Sequence, residues 1–188
     1  MINLNEDKEF ILIKDFDKFP KKNTNDRLVY INKNQNICLK IPKDNKNSIL
    51  GTKSEITFYN SLSKSAKNIF SKPLGIIDTN LGKAYIFELI KNDENISITL
   101  DSYIKKYAKN KDIYDKYISL VNLIIKNKIK IHKFHAENAV VKIKNNKIID
   151  IIIIDYEFSK INNFFFHKII KKKLYKKYVN VFFNISEF

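Results

Sequence analysis

Between Ile131 and Phe158 the chain reads IHKFHAENAVVKIKNNKIIDIIIIDYEF, a polar loop, a strand, a turn and a very apolar strand that closes on an aspartate. This stretch narrows the possible folds more than any other. Ala139-Val140-Val141-Lys142-Ile143 has strand character, Asn145-Asn146-Lys147 can reverse the chain, and Ile148 to Ile154 carries it back. Two strands joined by so short a turn set the residue before the first beside the residue after the second. Asn138 and Asp155 are therefore expected at neighbouring strand mouths. An amide oxygen and a carboxylate held together are hard ligands, suited to a Mg²⁺ that also touches phosphate. Asp150 is the alternative carboxylate, placed inside the isoleucine run.

A chain of 188 residues with 44% hydrophobic content is about one domain in length and can bury a sizeable core. Its formal net charge is +15, yet Arg27 is the one arginine among 35 basic residues. Readers of nucleic-acid sequence exploit arginine's planar fork, so a lysine surface fits solvated charge or non-specific phosphate attraction and argues against sequence readout. Cys38 alone allows neither an intrachain disulfide nor a paired-cysteine zinc site, and in an apolar strand it reads as a small buried hydrophobe. The opening residues Met1 to Asp7 are acidic where a secretory leader is basic, and Ile148 to Ile154 is far short of a bilayer span, so a cytoplasmic protein is expected.

Upstream, Glu9-Phe10-Ile11-Leu12-Ile13 and Arg27-Leu28-Val29-Tyr30-Ile31 are β-like runs separated by the polar segment 21–26. A third strand covers Ile37 to Ile41, ended by Pro42, and Ser48 to Ala66 reads as a helix with Ile56, Tyr59, Leu62 and Ala66 as its apolar stripe. Pro73 to Ile77 and Ala84 to Ile90 form an antiparallel pair about a turn at 78–82. After the polar linker 91–95, helices are expected over Leu100 to Tyr107 and Ile113 to Ile125. The tail from Ile161 to Phe188 interleaves Lys171-Lys172-Lys173 and Lys176-Lys177 with apolar residues, as in a helix docked by its apolar face with lysines in water. The sharper alternative is a basic amphipathic surface for anionic lipid or nucleic acid.

Taken together, the order of these elements resembles a minimal protein-kinase-like fold, and most of all the YrbL family of PhoP-regulon proteins. Ile37-Cys38-Leu39-Lys40-Ile41 resembles the kinase strand bearing the phosphate-binding lysine, and Glu55, fifteen residues on, its helical partner. Tyr85 to Ile90 looks like the strand entering the hinge, with Glu88 at the adenine-facing backbone. His135-Ala136-Glu137-Asn138 resembles the catalytic-loop Lys-Pro-Glu-Asn, and Asp155 the metal-binding aspartate of Asp-Phe-Gly. The resemblance implies an α+β bilobal chain: residues 1–90 as a lobe with a five-stranded antiparallel sheet and one helix, residues 91–188 as a reduced, mainly helical lobe. It implies ATP held by Lys40, Glu55 and Glu88, and Mg²⁺ held by Asn138 and Asp155.

Departures from the pattern bear on activity. The segment 21–26 carries no glycine where a kinase flap has several, although Asn23 and Asn25 tolerate similar backbone conformations. Five residues before Asn138, where active kinases hold an aspartate base, stands Lys133. A lysine is protonated at neutral pH and cannot accept a proton, though it can neutralise a transferring phosphoryl group. His132 and His135 are the alternative bases, against an ordinary structural role in a loop. Glu157 stands where a glycine gives the kinase segment mobility. Three readings stay open: a degenerate kinase that binds Mg-ATP with weak or no phosphotransfer, an active phosphotransferase acting on a small molecule, and a non-enzymatic basic polyanion-binding protein on the same scaffold. The short tail after Phe158 leaves no room for a peptide-binding region, so a small-molecule acceptor is the expectation if transfer occurs.

Overall fold

The computed structural model describes residues 10–11, 16–18, 27–43, 46–93, 95–132, 134–156, 158–160 and 168–185. The chain divides into two compact units, Met1–Tyr59 with Lys72–Leu89 and Asn60–Ser71 with Ile90–Phe188. Residues 60–71 thus belong with the second unit although they precede the last two long strands of the first.

In the first unit the strands are β1 (Phe10–Ile11), β2 (Asp17–Lys18), β3 (Arg27–Asn32), β4 (Ile37–Pro42), β5 (Pro73–Thr79) and β6 (Gly82–Glu88), with helix α1 (Lys46–Ser61) after β4. They form one sheet in the order β1-β5-β6-β4-β3-β2. The expected five-stranded antiparallel sheet is therefore corrected to six among the described residues. Four long antiparallel strands are flanked by two-residue strands, β2 antiparallel to β3 and β1 parallel to β5. Strands this short are set by backbone pairing at an edge, and no side-chain alternation announces them. Along β4 the alternation is clear: Ile37, Leu39 and Ile41 pack with Phe16, Ala84 and Ile86 on one face. Cys38 and Lys40 point to the other. Cys38 is half-buried there, since that face carries the polar group Lys40 as well.

Helix α1 departs from the sequence expectation twice. It ends at Ser61, because Ser63 caps a separate helix α2 (Lys64–Lys67) by accepting the Ala66 N–H at 3.3 Å. Its buried residues are Ser48, Thr52 and Glu55, a polar stripe at helical spacing, while Ile56 and Tyr59 are only half-buried. Thr52 satisfies its hydroxyl by donating to the Ser48 carbonyl at 3.0 Å.

The second unit holds α2, a small hairpin of β7 (Lys91–Asn92) and β8 (Asn95–Ile96), and helices α3 (Leu100–Tyr107) and α4 (Lys111–Lys126). Both helices start as their sequences dictate, on Thr99 and Asn110, whose side chains accept the N–H groups of Ser102 and Ile113 at 3.1 Å. Then follow β9 (Ile129–Ile131), β10 (Ala139–Lys144), β11 (Lys147–Ile153), β12 (Phe158–Lys160) and helix α5 (Lys168–Phe183). Strands β10 and β11 pair antiparallel with a register shift between Lys142 and Ile143. Asn92 answers that irregularity: its Oδ1 accepts from the Ile143 N–H at 2.7 Å and from Ser97 Oγ at 2.6 Å. Helix α5 buries Leu174, Tyr178 and Phe182 and leaves Lys171, Lys172, Lys173 and Lys176 exposed. No helix among the described residues is long and apolar enough to cross a membrane.

Candidate functional site

Lys40 and Glu55 meet inside the first unit. Strand β4 turns Lys40 away from the apolar face, α1 presents Glu55 from its buried polar stripe, and Lys40 Nζ lies 2.5 Å from Glu55 Oε2. Both side chains are almost wholly buried, at 6% and 1% exposure. The ammonium also lies over the Phe87 ring, 4.2 Å from its centroid. Arg27, the first residue of β3, takes the second carboxylate oxygen, Nη1 to Glu55 Oε1 at 2.5 Å. One buried carboxylate thus serves two cations, whose charges compensate the cost of its desolvation.

Sequence reasoning missed Arg27 as a site residue, though a signal was present. In a chain whose other basic residues are all lysine, a lone arginine marks a position that needs the planar, permanently charged guanidinium. Glu88, at the end of β6, is exposed. Its N–H donates to the Lys72 carbonyl at 2.8 Å, and the Leu89 N–H to the Asn36 carbonyl at 2.9 Å. Burial raises the pKa of Tyr59 above its ordinary value, and the Glu88 carboxylate adds a smaller push in the same direction.

The second unit holds the other candidates. Asn138 closes a single 3-10 turn, Ala136–Asn138, that leads into β10, and Asp155 follows β11 by two residues. The hairpin turn is Asn145-Asn146, both at positive φ (50° and 59°), the conformation a two-residue turn demands and asparagine tolerates. Ala139 therefore faces Ile153 across the ladder, and one step further the Ile154 N–H donates to the Asn138 carbonyl at 2.9 Å. The hairpin brings Asn138 alongside the segment that begins Asp155, as the short turn requires. Asp150 faces Lys142 across the ladder at the irregular register, and its carboxylate accepts the Ile151 N–H at 2.9 Å.

His132 and His135 are both exposed, on either side of the buried Phe134. Lys133 and Glu157 lie outside the described residues. Tyr156, next to Asp155, is buried; its hydroxyl donates to the Ser71 carbonyl at 3.0 Å and its ring meets Phe70 edge-on at 5.0 Å. No group of three or more His, Cys, Asp or Glu side chains among the described residues could hold a metal by itself. One amide and one carboxylate are instead the donor set of a Mg²⁺ that arrives with phosphate oxygens of its own, and Asn138 and Asp155 fit that chemistry.

Residues 20–184, which span the lysine strand, the helix of Glu55 and the hairpin between Asn138 and Asp155, match a family model described as PhoP regulatory network protein YrbL. The chain belongs to that family. Among solved structures, this YrbL-family chain is similar to Rad53 in complex with AMP-PNP, with a TM-score of 0.56 and 13% identity over 79% of this chain and 40% of the other. It is also similar to the PF14_0431 kinase domain, with a TM-score of 0.55 and 16% identity over 83% of this chain and 55% of the other. At these identities the likeness shows the fold, which is α+β and protein-kinase-like. The chain spans about half or less of the length of either. A search of the curated proteins finds no match.

Proposed function

We propose that this YrbL-family protein is a degenerate kinase that binds Mg-nucleotide and transfers phosphoryl groups weakly or not at all. The observation that carries this reading is the buried Lys40–Glu55 pair, 2.5 Å apart on a strand and a helix of a kinase-like sheet. Burying two charges costs free energy, and replacing such a pair by apolar residues is often neutral or stabilising. Its presence in a sheet of this kind favours a role in aligning Lys40 for phosphate over a role in stability alone. Asn138 and Asp155 would hold Mg²⁺, which when bound neutralises phosphate charge. Glu88 lies on the strand that leads to the adenine-binding backbone of the kinase fold.

The loss of transfer is argued from the residues that are different. Lys133 stands in sequence where the base aspartate belongs, and the segment 21–26 has no glycine. An active small-molecule phosphotransferase would work instead through His132, His135 or Glu157.

Thermal unfolding with and without Mg-ATP tests the reading. A ligand at ~100 times its dissociation constant that binds only the folded state adds about 2.7 kcal/mol. Stabilisation of the wild type that is lost in Asp155→Ala, with no ADP formed over hours, is expected. ADP formation that disappears in Asp155→Asn would establish the active enzyme instead. No stabilisation by Mg-ATP, together with polyanion binding that falls steeply with salt, would establish the binding-protein reading.

A further inference from the structure

The loop from Ile131 to Asn138 carries both histidines and ends at the proposed metal ligand, yet its fixed points lie on the C-terminal helix α5. Strand β9 has β12 as its ladder partner, so N–H groups on its other edge need acceptors from elsewhere. The Ile131 N–H finds one in the Tyr178 hydroxyl, at 2.8 Å. Three residues on, Phe134 is buried with its ring edge-on to Tyr178, 5.7 Å between centroids at 84°. Tyr178 thus holds the loop at its entrance by a hydrogen bond and at its middle by packing. Lys177 adds its ammonium to the carbonyls of Ile131 and His132 at 3.4 and 3.3 Å. Tyr178 is itself held: its carbonyl accepts from the Tyr117 hydroxyl of α4 at 2.7 Å, and Tyr117 stacks on Phe134 with centroids 6.2 Å apart.

We propose that Tyr178 is a positioning residue for this loop, fixing Ile131 and Phe134 so that His132, His135 and Asn138 leave from a set backbone. Tyr178 and Tyr117 are wholly buried, so neither works by touching a ligand. Phe134 is the buried peg between two exposed histidines, and α5 is the wall it is driven into. Packing alone would be served by phenylalanine at 178. The hydroxyl is placed where the loop backbone needs an acceptor.

This inference rests on the reading of the loop as the site-bearing segment, and Tyr178→Phe tests it by removing one oxygen and leaving the ring. Amide hydrogen exchange, followed residue by residue, is expected to rise about tenfold or more from Ile131 through Asn138. The affinity for Mn-ATP, used as the probe, is expected to fall about tenfold, the lower end of what outer-shell partners of metal ligands contribute. Tyr117→Phe is the comparison: it removes the bond that holds the Tyr178 backbone and leaves the Ile131 N–H its acceptor, so exchange in the loop and Mn-ATP affinity should change less than in Tyr178→Phe. Lys177→Met, at an exposed position, is expected to raise exchange in the loop to a smaller extent. Wild-type exchange in the Tyr178→Phe loop would overturn the proposal, whatever Lys177→Met does. If the wild type takes up no Mn-ATP, the metal reading fails by itself, and the exchange rates still decide the role of Tyr178.

Discussion

Lys40 and Arg27 reach the same buried carboxylate, that of Glu55, each at 2.5 Å and each at its own oxygen. Removing the shared anion leaves two cations without it, whereas removing one cation leaves the other in place. Glu55→Ala is therefore expected to cost about 3–5 kcal/mol in denaturant unfolding. Lys40→Met should cost clearly less while abolishing the stabilisation by Mg-ATP. Equal losses from the two substitutions would show that Arg27 does not share the carboxylate in solution.

Arg27 to Glu55 is a charge-assisted hydrogen bond from a planar group, and an ammonium does not reproduce that geometry. Arg27→Met is expected to cost about 1.5–3 kcal/mol, the usual worth of a hydrogen bond to a charged group. Arg27→Lys should recover only part of it. Full recovery by lysine, measured by the same unfolding curves, would assign Arg27 a role as a point charge alone.

Tyr117 and Tyr178 set a limit on stability at high pH. Burial pushes both phenols above their ordinary value, and for Tyr178 the bond from the Ile131 N–H offsets part of the push. An unfolded tyrosine ionises near ~10, so above that pH the unfolded state binds fewer protons than the folded state and stability falls as pH rises. The contribution is fully present below ~10 and is lost as pH climbs from there through the raised folded values. Unfolding midpoints measured from pH 8 upward should drop above ~10, less steeply in Tyr117→Phe. An unchanged slope in that variant would contradict the assignment.

Asn145 and Asn146 form the turn that aligns Asn138 with the Asp155 segment, both in the left-handed region. A β-branched residue there costs roughly 1–2 kcal/mol, so Asn145→Val should destabilise by about that amount, read by thermal unfolding. Asn146→Gly should be tolerated, since Asn-Gly is the favoured pair for such a turn. A neutral Asn145→Val would mean that the hairpin reverses by another route.

The local sequence determined those elements whose signals are themselves local. Helices α3 and α4 followed from helical periodicity and the caps Thr99 and Asn110, and the β10–β11 hairpin from Asn145-Asn146 between apolar runs. The pairing of Lys40 with Glu55 was expected from the resemblance of their order and spacing to the kinase strand and helix. Tertiary structure decided the rest, because the deciding contacts join residues far apart and follow no period. Arg27 reaches Glu55 across 28 positions, and Ile131 reaches Tyr178 across 47. The buried residues of α1 are Ser48, Thr52 and Glu55, all polar, so a search for apolar residues passes over them although Tyr59 lies on the same side of the helix, four residues after Glu55. There a charge is admitted because opposite charges arrive from two strands, and only the folded sheet brings those strands to it.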